Sequence, residues 1–291
     1  MKEGIDNNTK IEHHKYTSKD FTSSQDVRWC PGCGDYSILA QVQRTAPEII
    51  FEKEKMVWIS GIGCSSRFPY YLDTYGFHGI HGRAPAIATG VKLNNPELSV
   101  WVATGDGDLL SIGGNHFIHA ARRNVDLKVI CINNFIYGMT GGQVAPTTPV
   151  GATATTAPYG CFEPPFNLPY LAESSGAVYV ARWTAFHVRY IAHSMAEAFR
   201  KKGFSFIEIL SPCPTLYQRR NKLGDGLDTM RYYKQHSVVK NGANTRDLAL
   251  DFQGEIIVGK FVDIDRPTLH DTMDQQYRRM LKDRYNGWRE I

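Results

Sequence analysis

Two short motifs, each set directly after an apolar run, constrain the fold of this chain more than anything else in it. Val100-Trp101-Val102-Ala103-Thr104 leads into Gly105-Asp106-Gly107-Asp108, and Val129-Ile130-Cys131-Ile132 leads into Asn133-Asn134. Both runs read as buried strands, and the amphipathic stretch between them reads as a helix starting near Ile112. A strand, a helical crossover and a second strand make a parallel pair, so both motifs emerge at one sheet edge. In open α/β sheets that edge is where ligands bind. Asp106 and Asn134 then supply a carboxylate and an amide oxygen side by side, with a backbone carbonyl just beyond. These are the hard oxygen donors of Mg²⁺, whose octahedron phosphate oxygens and water would complete. Gly105 and Gly107 let the backbone approach a diphosphate, at which the helix directs its positive end. The bland alternative is a Rossmann-like turn in which Asp106 caps the helix and the asparagines form a turn. A second copy, Gly224-Asp225-Gly226, has no strand before it and no Asn pair after it, and reads as a surface turn.

Length and charge set the frame. At 291 residues and 42% hydrophobic content, the chain can bury a full α/β core. Its net charge of +4 is mild and unclustered, which excludes nucleic acid and an anionic membrane as expected partners. No apolar run approaches the roughly 18 residues of a membrane span. Residues 1–20 form a polar tail with no apolar segment of the signal-peptide kind, so a cytoplasmic location is expected. The expected division is that tail, a domain over 21–235, and a C-terminal extension over 236–291 that contacts a partner.

The cysteines carry a second message. In a reducing compartment Cys30-Pro31-Gly32-Cys33-Gly34 reads as a metal or redox site rather than a disulfide. Cys64 follows the strand-like run Met56–Ser60, and Cys213 follows another, Phe206–Leu210. If these strands are parallel to the others, Cys64, Asp106, Asn134 and Cys213 share one edge. Four thiolates there suit a [4Fe–4S] cluster, although a Cys₄ zinc site uses the same ligand count. Cys131 lies in a strand and reads as a small core hydrophobe. Cys161 is the rival fourth ligand.

The Gly-Asp-Gly and Asn-Asn pair resembles the thiamine-diphosphate motif. Cys30-Pro31-Gly32-Cys33-Gly34, Gly63-Cys64, Gly105-Asp106-Gly107, Asn133-Asn134, Tyr137-Gly138-Met139-Thr140-Gly141-Gly142-Gln143 and Pro212-Cys213-Pro214 occur in that order. In this combination the chain closely resembles the β subunit of the 2-oxoacid:ferredoxin oxidoreductases, from about Val27 to Asn221. Cys-Pro-Gly-Cys and Gly-Cys-Ser-Ser-Arg are more similar to the 2-oxoglutarate branch than to the pyruvate branch. The resemblance implies a mostly parallel α/β sheet with helices on both faces, a thiamine-diphosphate-binding domain of the diphosphate type. It implies oxidative decarboxylation of a 2-oxoacid with coenzyme A, CO₂ leaving, and electrons passing through the cluster to ferredoxin, potentially reversible as reductive carboxylation. Mg²⁺ would be held by Asp106, Asn134 and the carbonyl of Ile136. Gly107 and Asp108 would hold the diphosphate, with Gly63, Cys64, Gly105, Gly138, Met139 and Thr140 along the cofactor. Cys30, Cys33, Cys64 and Cys213 would hold the cluster.

Several readings stay open. His78 and His81, in Phe77-His78-Gly79-Ile80-His81-Gly82-Arg83, read as residues that could reach cofactor or substrate, His81 the more so because glycines on both sides suggest close backbone approach. Arg67, three positions after Cys64, reads either as the match for the second carboxylate of 2-oxoglutarate or as a structural partner of Asp73. The visible sheet runs to Leu210, and the chain from Tyr217 onward reads as polar and irregular. No Glu sits in a second sheet-edge motif to activate the aminopyrimidine. The resemblance implies that an α subunit supplies that half and the coenzyme A site, in an αβ or (αβ)₂ assembly. Residues 144–160 read as a loop over the cofactor edge. The Arg- and Tyr-rich end, from Tyr277, reads as a solvated helix or a partner-gripping arm. Two rival functions remain: a non-oxidative thiamine-diphosphate decarboxylase or carboligase subunit with structural zinc, and a non-catalytic metal-binding module.

Overall fold

Six parallel strands carry at their ends Cys64, the Gly105-Asp106-Gly107 turn, the Asn133-Asn134 pair and Cys213, whereas Cys30-Pro31-Gly32-Cys33 lies on the loop before helix Asp35–Ile49. The computed structural model describes residues 16–50 and 52–287. The first strands are β1 (Met56–Ser60), β2 (Tyr75–His78), β3 (Ser99–Gly105) and β4 (Lys128–Asn133). A two-stranded ribbon of β5 (Ile136–Tyr137) and β6 (Gln143–Val144) follows, then β7 (Tyr179–Thr184) and β8 (Ser205–Leu210). Across the main sheet the order is β2-β1-β3-β4-β8-β7, all parallel. The four strands that precede Cys64, Asp106, Asn134 and Cys213 are therefore consecutive neighbours.

Alternation along the strands builds two cores. Trp101, Ala103, Ile130, Ile132, Ile207 and Ile209 face one layer, where helices Asp35–Ile49 and Val188–Arg200 pack. Val100, Val102, Val129, Cys131 and Phe206 face the other, against helices Ala84–Asn94, Gly114–Arg122 and Leu168–Ser174. Successive side chains of a strand point to opposite faces, so a strand buried on both sides has to be apolar throughout. The helices bury only one stripe: Val188–Arg200 buries Ile191, Ser194, Met195 and Ala198.

The sheet does not end at Leu210. Helix Gly226–His236 leads into β9 (Ser237–Val239) and β10 (Ile256–Asp263). β10 pairs antiparallel with β7, and β9 pairs parallel with β10 at the outer edge. The boundary expected at residue 235 thus runs into a continuous sheet, and the reading of this region as irregular is corrected. β10 escaped notice because its run, Ile256-Ile257-Val258-Gly259-Lys260-Phe261-Val262-Asp263, is interrupted by Gly259 and Lys260 at a register shift. Beyond it, helix Leu269–Leu281 buries no residue. Residues 1–15 of the expected polar tail, and Arg289 at the end of the expected arm, lie outside the described residues. Among the described residues no helix is long and apolar enough to cross a membrane.

Candidate active site

β3 and β4 pair with Gly105 opposite Ile132, so Asp106 and Asn134 leave adjacent strands close to one level. Helical backbone begins at Asp106 itself rather than near Ile112, and residues 108–112 wind as a wider π-helical turn. Such turns recur where helices present functional groups. Asp106 is 2% exposed and accepts a short hydrogen bond from the Thr147 hydroxyl. Burial pushes its carboxyl up to about 6, against the pull of Thr147 and of the backbone N–H groups of Asn134 and Gly107. A buried carboxylate with only neutral donors around it is the chemistry of a cation ligand. Gly107 has its own local reason. A Cβ there would collide with the Tyr137 ring, whose hydroxyl donates to the Gly107 carbonyl at 3.1 Å.

The asparagine loop is strained and braced. Phe135, between Asn134 and Ile136, has φ +65°, a region disfavoured for a bulky residue. Its N–H donates to Asn133 Oδ1 at 3.1 Å, and its carbonyl accepts from the Thr148 hydroxyl at 2.6 Å. Asn133 in turn donates through Nδ2 to Glu208 Oε1 at 2.8 Å, and Arg182 Nε donates to Glu208 Oε2 at 2.7 Å. Arg182 and Glu208 are 1% and 0% exposed, so the brace is an ion pair inside the sheet. Asn134 Oδ1 accepts the Ile136 N–H at 3.2 Å.

Asp108 turns inward. Its carboxylate accepts from the N–H groups of Ile62 at 3.1 Å and Gly82 at 2.7 Å, and from the Thr104 hydroxyl at 2.8 Å. His81 Nδ1 lies 3.5 Å from the same carboxylate. The side chain thus ties three segments together, and only the Asp108 backbone is left to meet a diphosphate. Gly63, Cys64, His81, Asp106, Gly107 and Asp108 line a notch of about 60 Å³. Asn134, Ile136, Gly138, Met139 and Thr140 complete it, while Gly105 stays behind in β3. The 144–160 segment does border this edge, through Thr147 and Thr148.

A second cavity, of about 370 Å³, adjoins the notch and is lined by Cys30, Cys33, Cys64, Cys213 and Arg67. Cys64, Asn134, Gly138 and Met139 line both spaces. Trp29 Nε1 donates to the Cys64 carbonyl at 2.8 Å, and the Cys33 N–H closes a turn onto the Cys30 carbonyl at 3.0 Å. Burial pushes the Cys64 thiol up to about 11, with Asp35 and Cys213 adding to it, and raises Cys33 and Cys213 for the same first reason. Thiols held in this way ionise readily only beside a strong cation. Among the described residues no three His, Cys, Asp or Glu side chains are drawn close enough to hold a metal ion.

Two expectations about neighbours change. Gly224-Asp225-Gly226 is more than a surface turn: Asp225 caps helix Gly226–His236, and Gly226 is buried so tightly that a Cβ would meet the Gly32 carbonyl. The second Gly-Asp-Gly thereby buttresses the Cys-Pro-Gly-Cys loop. Asp73 pairs with Lys53 at 2.6 Å, while Arg67 Nη1 donates to the Arg28 carbonyl at 2.8 Å. Cys161 does not line the cysteine cavity and packs instead in a small core with Ile136, Ala152 and Tyr217.

Sequence reading missed Thr147, the Asn133–Glu208–Arg182 brace, and Asp35. Asp35 is 3% exposed, is pushed up to about 7 by burial, and accepts from the Ser211 hydroxyl at 3.4 Å. A signal existed for the brace, since Arg182 and Glu208 are charges inside apolar strands, where each needs a partner. Thr147 had none, because its contact with Asp106 is made across the fold.

The chain matches the family model described as "Thiamine pyrophosphate enzyme, C-terminal TPP binding domain" over residues 58–209. It is 47% identical over 243 residues to the 2-oxoglutarate synthase subunit KorB of Methanothermobacter marburgensis, covering 84% of this chain and 85% of that one. It is 46% identical over 259 residues to the 2-oxoglutarate oxidoreductase subunit KorB of Mycobacterium tuberculosis, covering 82% and 69%. Among solved structures it is similar to the 2-oxoglutarate:ferredoxin oxidoreductase from Magnetococcus marinus with 2-oxoglutarate, coenzyme A and succinyl-CoA bound. That likeness has a TM-score of 0.84 and 36% identity, covering 95% of each chain. With this sheet, these edge motifs and these relatives, the chain belongs to the β subunits of the 2-oxoacid:ferredoxin oxidoreductases, of the 2-oxoglutarate synthase type.

Proposed function

We propose that this β subunit couples oxidative decarboxylation of 2-oxoglutarate, with coenzyme A as acyl acceptor, to reduction of ferredoxin, and that the reaction also runs as reductive carboxylation. The observation that carries this reading is the wall shared by the notch and the cysteine cavity, built from Cys64, Asn134, Gly138 and Met139. Asp106, Asn134 Oδ1 and the Ile136 carbonyl hold Mg²⁺, and the backbone at Gly107 and Asp108 meets the diphosphate. Gly63, Gly138, Met139 and Thr140 shape the remaining surface. Cys30, Cys33, Cys64 and Cys213 hold a [4Fe–4S] cluster. When bound, thiamine diphosphate supplies the carbon nucleophile for the keto group, and the cluster supplies a one-electron carrier.

The chain's own residues position and exclude. Asp108 orients the His81 ring through Nδ1, leaving Nε2 to hold or release a proton at the reacting end. Arg67, with one donor anchored on the Arg28 carbonyl, offers the rest of its guanidinium to the second carboxylate of the substrate. An α subunit covers the notch in an αβ or (αβ)₂ assembly and brings the activating carboxylate and the coenzyme A site. Exposed Ile62 and Met139 on the notch wall offer an apolar margin suited to that contact.

The test is metal analysis with an absorption spectrum on the purified complex. Iron, acid-labile sulfide and a brown chromophore are expected, lost in Cys213→Ser and kept in Cys161→Ser. Zinc without iron would overturn the electron-transfer reading. Bleaching by Cys161→Ser with colour retained in Cys213→Ser would overturn the ligand set.

A further inference from the structure

Of the four thiols lining the cysteine cavity only Cys30 is exposed, while Cys33, Cys64 and Cys213 are half-buried. Pro31 and Gly32 beside it are also exposed and carry no charge, so a second protein can come close at this loop. The loop leans on the turn after Cys213, where Thr215 Oγ1 donates to Cys30 Sγ at 3.5 Å. Arg219 and Arg220 follow that turn directly, and both are exposed. Arg220 lies over Gly142, its Nε 3.2 Å from where a Cβ would stand, beside Leu216 of the cavity wall. Arg28 and Arg67 line the same cavity from two other segments. The acids nearby leave this positive charge uncancelled. Asp35 is buried, Asp225 caps its helix, and Asp228 pairs with Arg231 at 2.9 Å. Asp26 meets Arg28 at 3.8 Å, but both side chains stand in solvent, where such a pair is worth little. Arg67, Arg219 and Arg220 form no ion pair among the described residues.

We propose that the face around Cys30 is where the electron carrier docks, and that the carrier is an acidic protein steered there by Arg28, Arg219 and Arg220. The inference rests on the cluster reading above. Electron tunnelling falls off steeply with distance, so a carrier has to approach the cluster ligand nearest solvent. Cations around a small uncharged centre suit a partner that must bind, accept an electron and leave. Such encounters bury little surface and gain their speed from electrostatic attraction. Each transfer moves one electron, oxidising the cluster and reducing the carrier, so two serve each 2-oxoglutarate decarboxylated. The notch lies on the other side of the wall formed by Cys64, Asn134, Gly138 and Met139. Carbon chemistry and electron exit therefore use different openings, and a docked carrier leaves the notch free for the α subunit.

The experiment measures binding of an oxidised acidic ferredoxin with two [4Fe–4S] clusters to the assembled complex containing this chain, at low and at physiological ionic strength. The parent complex should bind it more weakly as salt rises. Arg219→Gln combined with Arg220→Gln should weaken binding about tenfold at low salt and flatten the salt dependence. The same variant should reduce methyl viologen, with 2-oxoglutarate and coenzyme A, at the parental rate. Arg28→Gln should move binding in the same direction. Lys202→Gln removes an exposed charge before β8, at the opposite edge of the sheet, and should change neither readout. With viologen reduction intact, unchanged ferredoxin binding in the arginine variants would overturn the docking face alone. So would an equal effect of Lys202→Gln, or loss of the α subunit from the arginine variants. A parent complex unable to reduce viologen would instead remove the cluster reading, and the docking face with it.

Discussion

A carboxylate buried among neutral donors costs stability until a cation arrives, and Asp106 is in that position. Asp106→Asn should make the cofactor-free chain about 1–3 kcal/mol more stable, a rise of a few degrees in Tm. The same variant should lose thiamine diphosphate binding in the presence of Mg²⁺. Thermal unfolding without cofactor and a binding titration with it check the two halves, and retained binding would remove Asp106 from the metal site. Arg67 borders the thiols rather than the notch, which sharpens its test. If it meets the second carboxylate, Arg67→Ala should cost roughly 2–4 kcal/mol in kcat/KM on 2-oxoglutarate and much less on pyruvate. Equal losses on both substrates would assign it to the cysteine cavity instead. The chemical types at these positions could be read from the chain. Which way Asp108 points could not, because its four donors come from Ile62, Ser66, Gly82 and Thr104, brought together only by folding.

The elements divide their work between the two ends of the sheet. At the C-terminal edge the β3 and β4 loops carry Asp106 and Asn134, with Phe135 held in its strained conformation through Asn133 by the Arg182–Glu208 pair of β7 and β8. At the opposite edge Asp126 staples three elements. Its carboxylate meets Lys128 of β4 at 2.6 Å, Lys92 of helix Ala84–Asn94 at 2.8 Å, and the Gly203 N–H before β8 at 3.0 Å. Burial alone would raise this carboxyl, but the two lysines hold it down at about 2. Burial also lowers Lys128, so part of the gain is offset there. Because the folded carboxyl titrates below its ordinary value, its contribution is present above about pH 4 and is lost as the pH falls toward 2. Asp126→Asn should therefore lose about 2 kcal/mol at pH 7, with the gap to the parent closing between pH 4 and pH 2. Urea denaturation midpoints across that range check it, and a gap that stays constant would mean that the staple is not electrostatic. Strands β1, β3, β4 and β8 were legible as continuous apolar runs. β10 was not, since it joins the sheet antiparallel through partners some eighty residues away, at β7.

As a whole molecule the chain leaves its notch small and open. A notch of about 60 Å³ falls far short of the roughly 300–1,000 Å³ that encloses a cofactor-sized ligand, and its rim is apolar and exposed. The isolated chain should bind thiamine diphosphate with Mg²⁺ at least tenfold more weakly than the complex with its α subunit, since burial of the remaining cofactor surface awaits the partner. Equilibrium dialysis of both preparations measures the ratio, and tight binding to a lone monomeric chain would rule out a shared site.

The strands, their end motifs and the donor chemistry were local information. Gly105-Asp106-Gly107, Asn133-Asn134 and Cys30-Pro31-Gly32-Cys33 each sit beside the apolar run or turn that orients them, and period-two burial follows from the backbone alone. The choice of Cys213 over Cys161 in the cavity lining, the inward turn of Asp108 and the continuation of the sheet through β10 were non-local. So was the use of Gly226 to support Gly32. Each depends on packing between segments far apart in the chain, where sterics and buried hydrogen bonds, rather than local propensity, select one arrangement.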